Sequence, residues 1–156
     1  MGQEDEELLV KGSVEGLAKG ERIFSVRFEG NVGFVVTFRQ IDPLFAFDLS
    51  DPVNPVLKGE LKIPGFSTYM HPLQVDEQGT PEFLLTIGEN ADENGVSLGM
   101  QLSIFDVRDL SNPIRVEKHV LEGEWTHSEA LYNHKAFGYY PEHKLLAIPV
   151  SNWSRN

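Results

Sequence analysis

A twelve-residue segment occurs twice in this chain, and this repeat constrains the possible folds more than any other feature. The first copy, FAFDLSDPVNPV, covers residues 45–56, and the second, SIFDVRDLSNPI, covers residues 103–114. In both copies an apolar stretch ends at an aspartate, and a turn with the pattern Asp-x-x-Asn-Pro follows. Aspartate, asparagine and proline favour tight turns because they bind local backbone or fix φ. Each copy therefore predicts two strands joined by a turn.

A second repeat extends this unit. LVKGSV at residues 9–14 matches VLKGEL at residues 56–61, and the alternation of apolar and polar residues after position 56 indicates a half-buried strand. The same signals along the chain predict eleven strands and no helix. The predicted strands are 8–14, 22–28, 33–38, 44–49, 56–62, 69–75, 82–88, 100–107, 114–121, 132–139 and 145–150.

Repeats of about 40–60 residues with four short strands each are typical of β-propeller blades. We therefore predict an all-β chain of four-stranded antiparallel blades, about two and a half of them. A β-sandwich or a jelly roll also contains many short strands, but neither predicts the repeat. The predicted parts are a flexible tail at 1–7, an outer strand at 8–14, blades at about 22–62 and 69–121, and an incomplete blade at 132–150.

The predicted strand order begins on an outer strand and ends two strands into a third blade. A propeller ring needs at least about four blades, so two hypotheses stay open. Either the sequence is a piece of a longer domain, or several copies close a ring together. A homodimer would give six blades if strand 8–14 of one copy completed the 132–150 blade of the other.

The charge and the cysteine content exclude several classes of partner and site. The chain has 24 acidic and 13 basic residues, a net charge of −11, so nucleic acid and anionic membranes would be repelled. It contains no cysteine, which excludes disulfides and thiolate metal sites. No apolar run approaches the roughly 20 residues that a membrane-spanning helix needs.

Six segments of the chain are distinctive: 12–17 (GSVEGL), 21–28 (ERIFSVRF), 36–45 (VTFRQIDPLF), 59–67 (GELKIPGFS), 128–137 (SEALYNHKAF) and 145–151 (LLAIPVS). Together they resemble a family of secreted bacterial and archaeal proteins with a C-terminal β-propeller domain distantly related to WD repeats. The resemblance implies a propeller in an extracytoplasmic setting, and it implies no established activity. The first seven residues are acidic where a signal peptide is basic, so the sequence itself does not indicate secretion.

One face of the predicted blades is the better candidate for binding. With the strands lettered a to d from the axis outward, the d–a and b–c loops lie on one face, here called the b–c face. The a–b and c–d turns lie on the opposite, a–b face. The b–c face has the longer predicted loops, at 39–43, 64–68, 88–99 and 122–129. Long loops on a rigid scaffold often bind ligands, although these loops could equally seal gaps between blades.

The main functional prediction is therefore a non-enzymatic binding or scaffold domain that holds a protein, peptide or glycan at the b–c face. Arg39 and Asp42 flank one of its loops, where they could hold a carboxylate or a carbohydrate, or bridge adjacent blades. The candidate ligand-binding residues are Arg39, Gln40, Asp42, Phe66, Tyr69, His71, Trp125, His127, Glu129 and His134.

A metal-assisted enzyme at the mouth of the central channel is the alternative. His71 and His134 fall at matching positions of predicted innermost strands, with Ser25 in the first copy, and they could bind a transition metal together with His127 or Glu129. Histidines at matching positions more often repeat a packing role.

Calcium is a further cofactor hypothesis, because the acidic loop at 89–95 offers the oxygen ligands that calcium prefers, without the spacing of a known calcium loop. The sequence has no Gly-x-Ser-x-Gly and no glycine-rich nucleotide motif, so it predicts no catalytic residue.

Overall fold

The computed structural model describes residues 9–38, 42–92, 96–121 and 125–153. These residues form twelve strands and three short 3-10 helices. The strands are β1 (Arg22–Glu29), β2 (Val32–Phe38), β3 (Asp42–Asp48), β4 (Val56–Ile63), β5 (Phe66–Val75), β6 (Pro81–Ala91), β7 (Ser97–Asp106), β8 (Ile114–Leu121), β9 (Trp125–His127), β10 (Gly138–Tyr140), β11 (Leu145–Ala147) and β12 (Ser151–Trp153). The 3-10 helices are η1 (Glu129–Leu131), η2 (His134–Ala136) and η3 (Pro141–His143).

Two four-stranded antiparallel sheets make up most of the chain. The strand order is β1-β2-β3-β4 in the first sheet and β5-β6-β7-β8 in the second, so every strand pairs with its neighbour in sequence. We call these sheets blade 1 and blade 2. Residues 125–153, called the third unit, add two short antiparallel pairs, β9 with β12 and β10 with β11. The prediction of four-stranded antiparallel blades is confirmed.

The repeated turns have the same hydrogen bonds in both blades. In blade 1 the Asp51 carboxylate accepts from the Val53 amide at 3.0 Å, and the Asn54 amide donates to the Asp51 carbonyl at 3.1 Å. In blade 2 Asp109 accepts from the Ser111 amide at 2.9 Å, and its carbonyl accepts from Asn112 at 3.1 Å. The Asp-x-x-Asn-Pro pattern is thus a local turn motif that connects strand c to strand d.

Bulges at equivalent places fix which residues of the two blades correspond. The register of strand a shifts between Ile23 and Ser25 in blade 1, and between Ser67 and Tyr69 in blade 2. Aligning these bulges makes Val26 equivalent to Met70, and therefore Arg27 equivalent to His71. The sequence alignment, which placed Ser25 at the histidine position, is wrong by two residues, because the chain between Gly12 and the bulge is longer than the chain between Gly59 and the equivalent bulge.

Two apolar cores lie between successive units. The first core joins blade 1 to blade 2 and contains Val32, Phe34, Val36, Leu44, Ala46, Met70, Leu84, Phe105 and Val107. The second core joins blade 2 to the third unit and contains Leu85, Ile87, Met100, Ala130 and Phe137. Blade 2 takes part in both cores, one on each face, because successive side chains of a strand point to opposite faces, and this is why its strands contain runs of consecutive apolar residues.

Two predicted strands are not formed. Residues 9–14 are described and belong to no strand, because no described segment pairs with them. In 132–139, η2 forms in place of a strand, and Asn133 Oδ1 caps it by accepting from the Lys135 amide at 3.1 Å. The preceding η1 is capped in the same way, since Ser128 Oγ accepts from the Ala130 amide at 3.1 Å. Only 138–140 is extended there.

The predicted difference in loop length between the two faces is also wrong where it can be compared. β5 begins at Phe66 and β6 continues to Ala91, so the predicted loops 64–68 and 88–99 shrink to connections at 64–65 and 92–96. Polar residues at these strand ends, such as Ser67 and Glu89, have the pattern of loop residues, although their backbones pair in the sheet with Gly88 and Met100. The connections at 39–41 and 122–124 lie outside the described residues.

Within the described ranges, no helix is long and apolar enough to cross a membrane.

Candidate functional site

A cleft of about 730 Å³ opens on the b–c face between blade 2 and the third unit. We call it the b–c cleft. Its volume lies in the range of small-ligand sites, roughly 300–1,000 Å³. The lining residues are Glu89, Val96, Ser97, Leu98, Gly99, Met100, Thr126, His127, Leu131 and Trp153.

One wall of the b–c cleft is the start of β7, and a tight turn holds it in place. The Asp92 carboxylate accepts from the Val96 amide at 2.8 Å, and the backbones of these two residues are also hydrogen-bonded. Gly99 follows with φ of 104°, a conformation that side-chain-bearing residues rarely adopt. The bend leaves Val96 58% exposed and Leu98 55% exposed at the cleft.

The opposite wall comes from the pairing of β9 with β12. Ser151 pairs with His127 and Trp153 pairs with Trp125, so the last described strand returns beside the connection from blade 2 to the third unit. The Trp153 side chain is 72% exposed. A large exposed indole beside a cleft provides apolar contact area and a hydrogen-bond donor, which are typical features of binding sites.

The polar residues of this wall are held by local contacts. The His127 ring stacks on the Tyr132 ring with centroids 5.6 Å apart. Ser128 is buried and caps the following 3-10 helix. Glu129 is exposed, and its carboxylate accepts from Asn133 Nδ2 at 2.6 Å. The structure therefore brings predicted site residue His127 into the b–c cleft, while Glu129 lies next to the cleft wall and stabilises the helical turn.

Tyr69 and His71 belong to a different place, the core between blade 2 and the third unit. The Tyr69 ring lies 4.9 Å from Phe137, and the His71 ring lies 5.6 Å from Phe137 and 5.2 Å from Tyr139 between centroids. Tyr69 Oη is 3.4 Å from His71 Nδ1. Burial lowers the pKa of His71, the Arg27 charge lowers it further, and Glu29 partly opposes this. His71 therefore packs as a neutral ring among aromatic residues.

We expect the stability of the protein to fall in mildly acidic solution through His71. Its pKa is lower in the folded state, so the unfolded chain binds the proton more readily. The His71 contribution is complete above the unfolded pKa of about 6.5 and is lost as the pH falls below it. Replacing His71 with glutamine should reduce the difference in unfolding free energy between pH 8 and pH 5.5, measured in urea.

His143 is exposed in the turn before β11 and provides the matched control. His143→Gln should leave the pH dependence as it is in the unmodified protein. An equal loss of stability at pH 5.5 in the protein with and without His71 would contradict this role.

The other predicted site residues are spread over the molecule. Phe66 lies in strand a of blade 2, with its ring centroid 4.6 Å from that of Phe24. His134 is exposed at the start of η2, where a strand was predicted. Arg39 and Gln40 lie outside the described residues, as do the side chains of Asp42 and Trp125.

Metal binding stays a prediction for this chain. Within 9–38, 42–92, 96–121 and 125–153, no group of three or more histidine, aspartate or glutamate side chains is placed to hold a metal ion. His71 and His134 also differ in surroundings, since the first is packed among aromatic rings and the second is exposed. In the predicted calcium loop, Asp92 closes the turn before β7, and residues 93–95 lie outside the described ranges.

A larger cleft of about 1,050 Å³ opens at the opposite, a–b face between the same two units. Its walls are mostly apolar, and the side chains with polar groups are His71, Gln74, Tyr139 and Lys144. We favour the b–c cleft as the candidate site, because it combines apolar surface with Glu89, His127 and an exposed indole. Specific ligand sites usually combine apolar walls with a few converging polar groups.

Sequence reasoning missed Trp153, Val96 and Leu98. Trp153 follows the last predicted strand, and only its pairing with Trp125 brings it to the cleft. A tryptophan in a polar stretch, SNWSRN, was the available signal, since exposed tryptophans are enriched at binding surfaces.

Sequential four-stranded sheets that pack face to face define this protein as a β-propeller. The chain belongs to the Beta propeller domain family, which matches residues 3–156. It is 44% identical over 146 residues to an uncharacterized protein of Archaeoglobus fulgidus and 40% identical over 148 residues to one of Methanocaldococcus jannaschii. The matches cover 94% and 95% of this chain but 21% and 22% of those relatives, about a fifth of their length. No solved structure matches the chain significantly.

Proposed function

We propose that this part of the propeller is a non-enzymatic binding module that holds an extended glycan or peptide in the b–c cleft. The observation that carries the proposal is the exposed indole of Trp153, which faces the apolar wall made by Val96 and Leu98. An aromatic plane opposite an aliphatic wall suits the face of a sugar ring or an apolar peptide side chain.

Charge narrows the class of ligand. The chain has a net charge of −11, and Glu89 lies in the cleft itself. An anionic ligand would be repelled both at a distance and on contact. We therefore propose a neutral or positively charged ligand. His127 provides a ring nitrogen that can donate or accept a hydrogen bond, which fits hydroxyl or amide groups.

The proposal includes an extracytoplasmic setting. It is supported by the resemblance of the sequence to secreted propeller proteins. Fractionation of cells that express the native gene, followed by immunodetection of this domain, would place it inside or outside the cytoplasmic membrane.

Removing the indole is expected to weaken binding at least about tenfold, a loss of about 1.4 kcal/mol in binding free energy. The measurement is a titration of the protein with soluble neutral oligosaccharides and with neutral or cationic decapeptides, followed by calorimetry. The unmodified protein should bind at least one of these probes, and Trp153→Ala should bind it more weakly.

Tyr140→Ala is the matched control, because Tyr140 is also aromatic and 48% exposed but lies at the a–b face. It should bind the same probe with unchanged affinity. Equal affinities of Trp153→Ala and the unmodified protein would exclude the b–c cleft as the site. If none of the probes binds, the proposed ligand class is wrong.

A further inference from the structure

Residues 9–14 lie against blade 1 in the way that an outer strand lies against the next blade. A Cβ atom added to Gly12 would lie 2.6 Å from the Pro52 carbonyl oxygen and 2.7 Å from Pro55 Cδ. A Cβ atom added to Gly59 in β4 would overlap the Leu110 carbonyl oxygen and lie 3.0 Å from Pro113 Cδ. The contacted positions are equivalent in the repeated turns, so segment 9–14 takes the place that strand d of a preceding blade would take.

The face of blade 1 on this side has the composition of a buried blade face. Val26 is equivalent to Met70 by the aligned bulges. Met70 is 2% exposed because blade 1 covers it, whereas Val26 is 44% exposed. Phe28, two residues along the same strand, is 66% exposed. This inner part of the face is therefore apolar and uncovered by described residues.

The outer part of the same face is already buried. Phe45 and Phe47 point to this side, because Ala46 between them points into the core with blade 2. They are 4% and 6% exposed. Residues before β1 run across this side, where Gly12 meets the turn at 52–55 and Glu21 accepts a hydrogen bond of 2.5 Å from Thr37. The uncovered area of this face therefore extends only over the inner strands of blade 1, next to segment 9–14.

We propose that this face docks a three-stranded antiparallel sheet, strands a to c of a further blade, which takes segment 9–14 as its fourth strand. The apolar face of that sheet covers Val26 and Phe28, as blade 1 covers Met70. Its strand c pairs with the backbone of segment 9–14, which has no strand partner among the described residues. Such pairing provides hydrogen-bond partners for the backbone N–H and C=O groups of an exposed strand edge.

The same polypeptide is the proposed source of those three strands. The archaeal relatives extend far beyond the matched segment, which is 21% and 22% of their length. A second copy of this chain is the weaker source, because its third unit offers two rows of strands, 125–140 and 145–153. If the third unit of a second copy docked here, the position of one strand, about 4.8 Å wide, would remain empty between its two rows and segment 9–14.

The internal repeat supplies the probe for a test. Residues 22–55, which form strands a to c of blade 1 and the following turn, are fused directly before Leu9, since Leu9 matches Val56. Hydrogen exchange by mass spectrometry then compares this extended chain with the original. We expect the amides of residues 10–14 to exchange at least about tenfold more slowly in the extended chain, because they become paired.

Val26→Asp at the original position tests the face itself. The substitution should lower the unfolding free energy of the extended chain more than that of the original chain, in which the Val26 side chain is exposed. Val116→Asp is the matched control, because Val116 is 47% exposed on β8 and should cost the same in both chains. Unchanged exchange at residues 10–14, or equal costs of Val26→Asp in both chains, would overturn the proposal.

Two further measurements complete the test. The first applies if the fused chain does not fold, and the second asks whether a second copy of the chain supplies the three strands. In the full-length Archaeoglobus relative, the amides aligned with residues 10–14 should be as protected as those aligned with β4, and fast exchange there would contradict the proposal. Light scattering should show that the original chain is a monomer. A homodimer that Val26→Asp separates would assign the face to a second copy instead. None of these measurements depends on a ligand in the b–c cleft.

Discussion

Replacing Phe105 with alanine is expected to destabilise the protein by about 3–5 kcal/mol, the usual cost of removing a buried phenylalanine ring. Phe105 is 1% exposed and lies in the core between blade 1 and blade 2. Its ring contributes to the packing of both sheets, so the loss leaves a cavity that neither sheet can close by itself. Urea unfolding followed by circular dichroism measures the change.

Phe28→Ala is the control for this substitution, because the same ring is removed from a side chain that is 66% exposed. The expected change is within about 0.5 kcal/mol, as for most surface positions. A loss of less than about 1 kcal/mol for Phe105→Ala would mean that the two sheets do not pack through this core.

Gly88→Ala is expected to cost at least about 2 kcal/mol, at the upper part of the range for overpacked sites. A Cβ atom at Gly88 would overlap the Phe66 carbonyl oxygen and lie 2.7 Å from the Phe66 carbonyl carbon. Both are backbone atoms of the paired strand, so β5 and β6 would have to separate beside the bulge of strand a.

Gly138→Ala serves as the comparison, since its added Cβ atom would meet its neighbours at 3.4 Å or more. It should change the unfolding free energy by less than about 1 kcal/mol. Equally small changes in unfolding free energy for Gly88→Ala and Gly138→Ala would show that strands a and b of blade 2 are not as close as described.

The features that the sequence predicted well are those encoded by local chemistry. Asp51 and Asp109 start turns by accepting hydrogen bonds from amides two residues later, an interaction that needs no distant partner. Strands flanking these turns follow from the alternation and from the apolar runs. The repeat then required equivalent units, which is why the blade architecture was predictable from one sequence.

The features that failed depend either on partners distant in sequence or on local interactions that compete with a strand. Segment 9–14 has a strand pattern, but a strand also needs a neighbour to pair with, and none is described. In 128–137, Ser128 and Asn133 cap successive 3-10 helices, and this short-range competition outweighed the apparent match of 132–139 with strand a of blade 2. The alignment of Ser25 with His71 failed because the connections before strand a differ in length, and only the paired bulges show which residues correspond.

The candidate site was predicted only in part. The b–c face was predicted from a difference in loop length that the structure does not show, and His127 was named because it falls in the predicted loop 122–129 on that face. The sequence grouped His71 with His127 and His134, whereas the structure packs the His71 ring against Phe137 and Tyr139. Trp153 and Leu98 approach each other only through the packing of blade 2 against the third unit, which no local pattern encodes.

Nuclear Overhauser effects between methyl groups of the two sheets test most directly whether they stand as successive blades. Met70 and Leu84 of blade 2 should show contacts to Val36 and Leu44 of blade 1, since all four belong to the core between these blades. Contacts from Met70 to Ile87 and Met100, which belong to the core on the other side of blade 2, would contradict the blade arrangement.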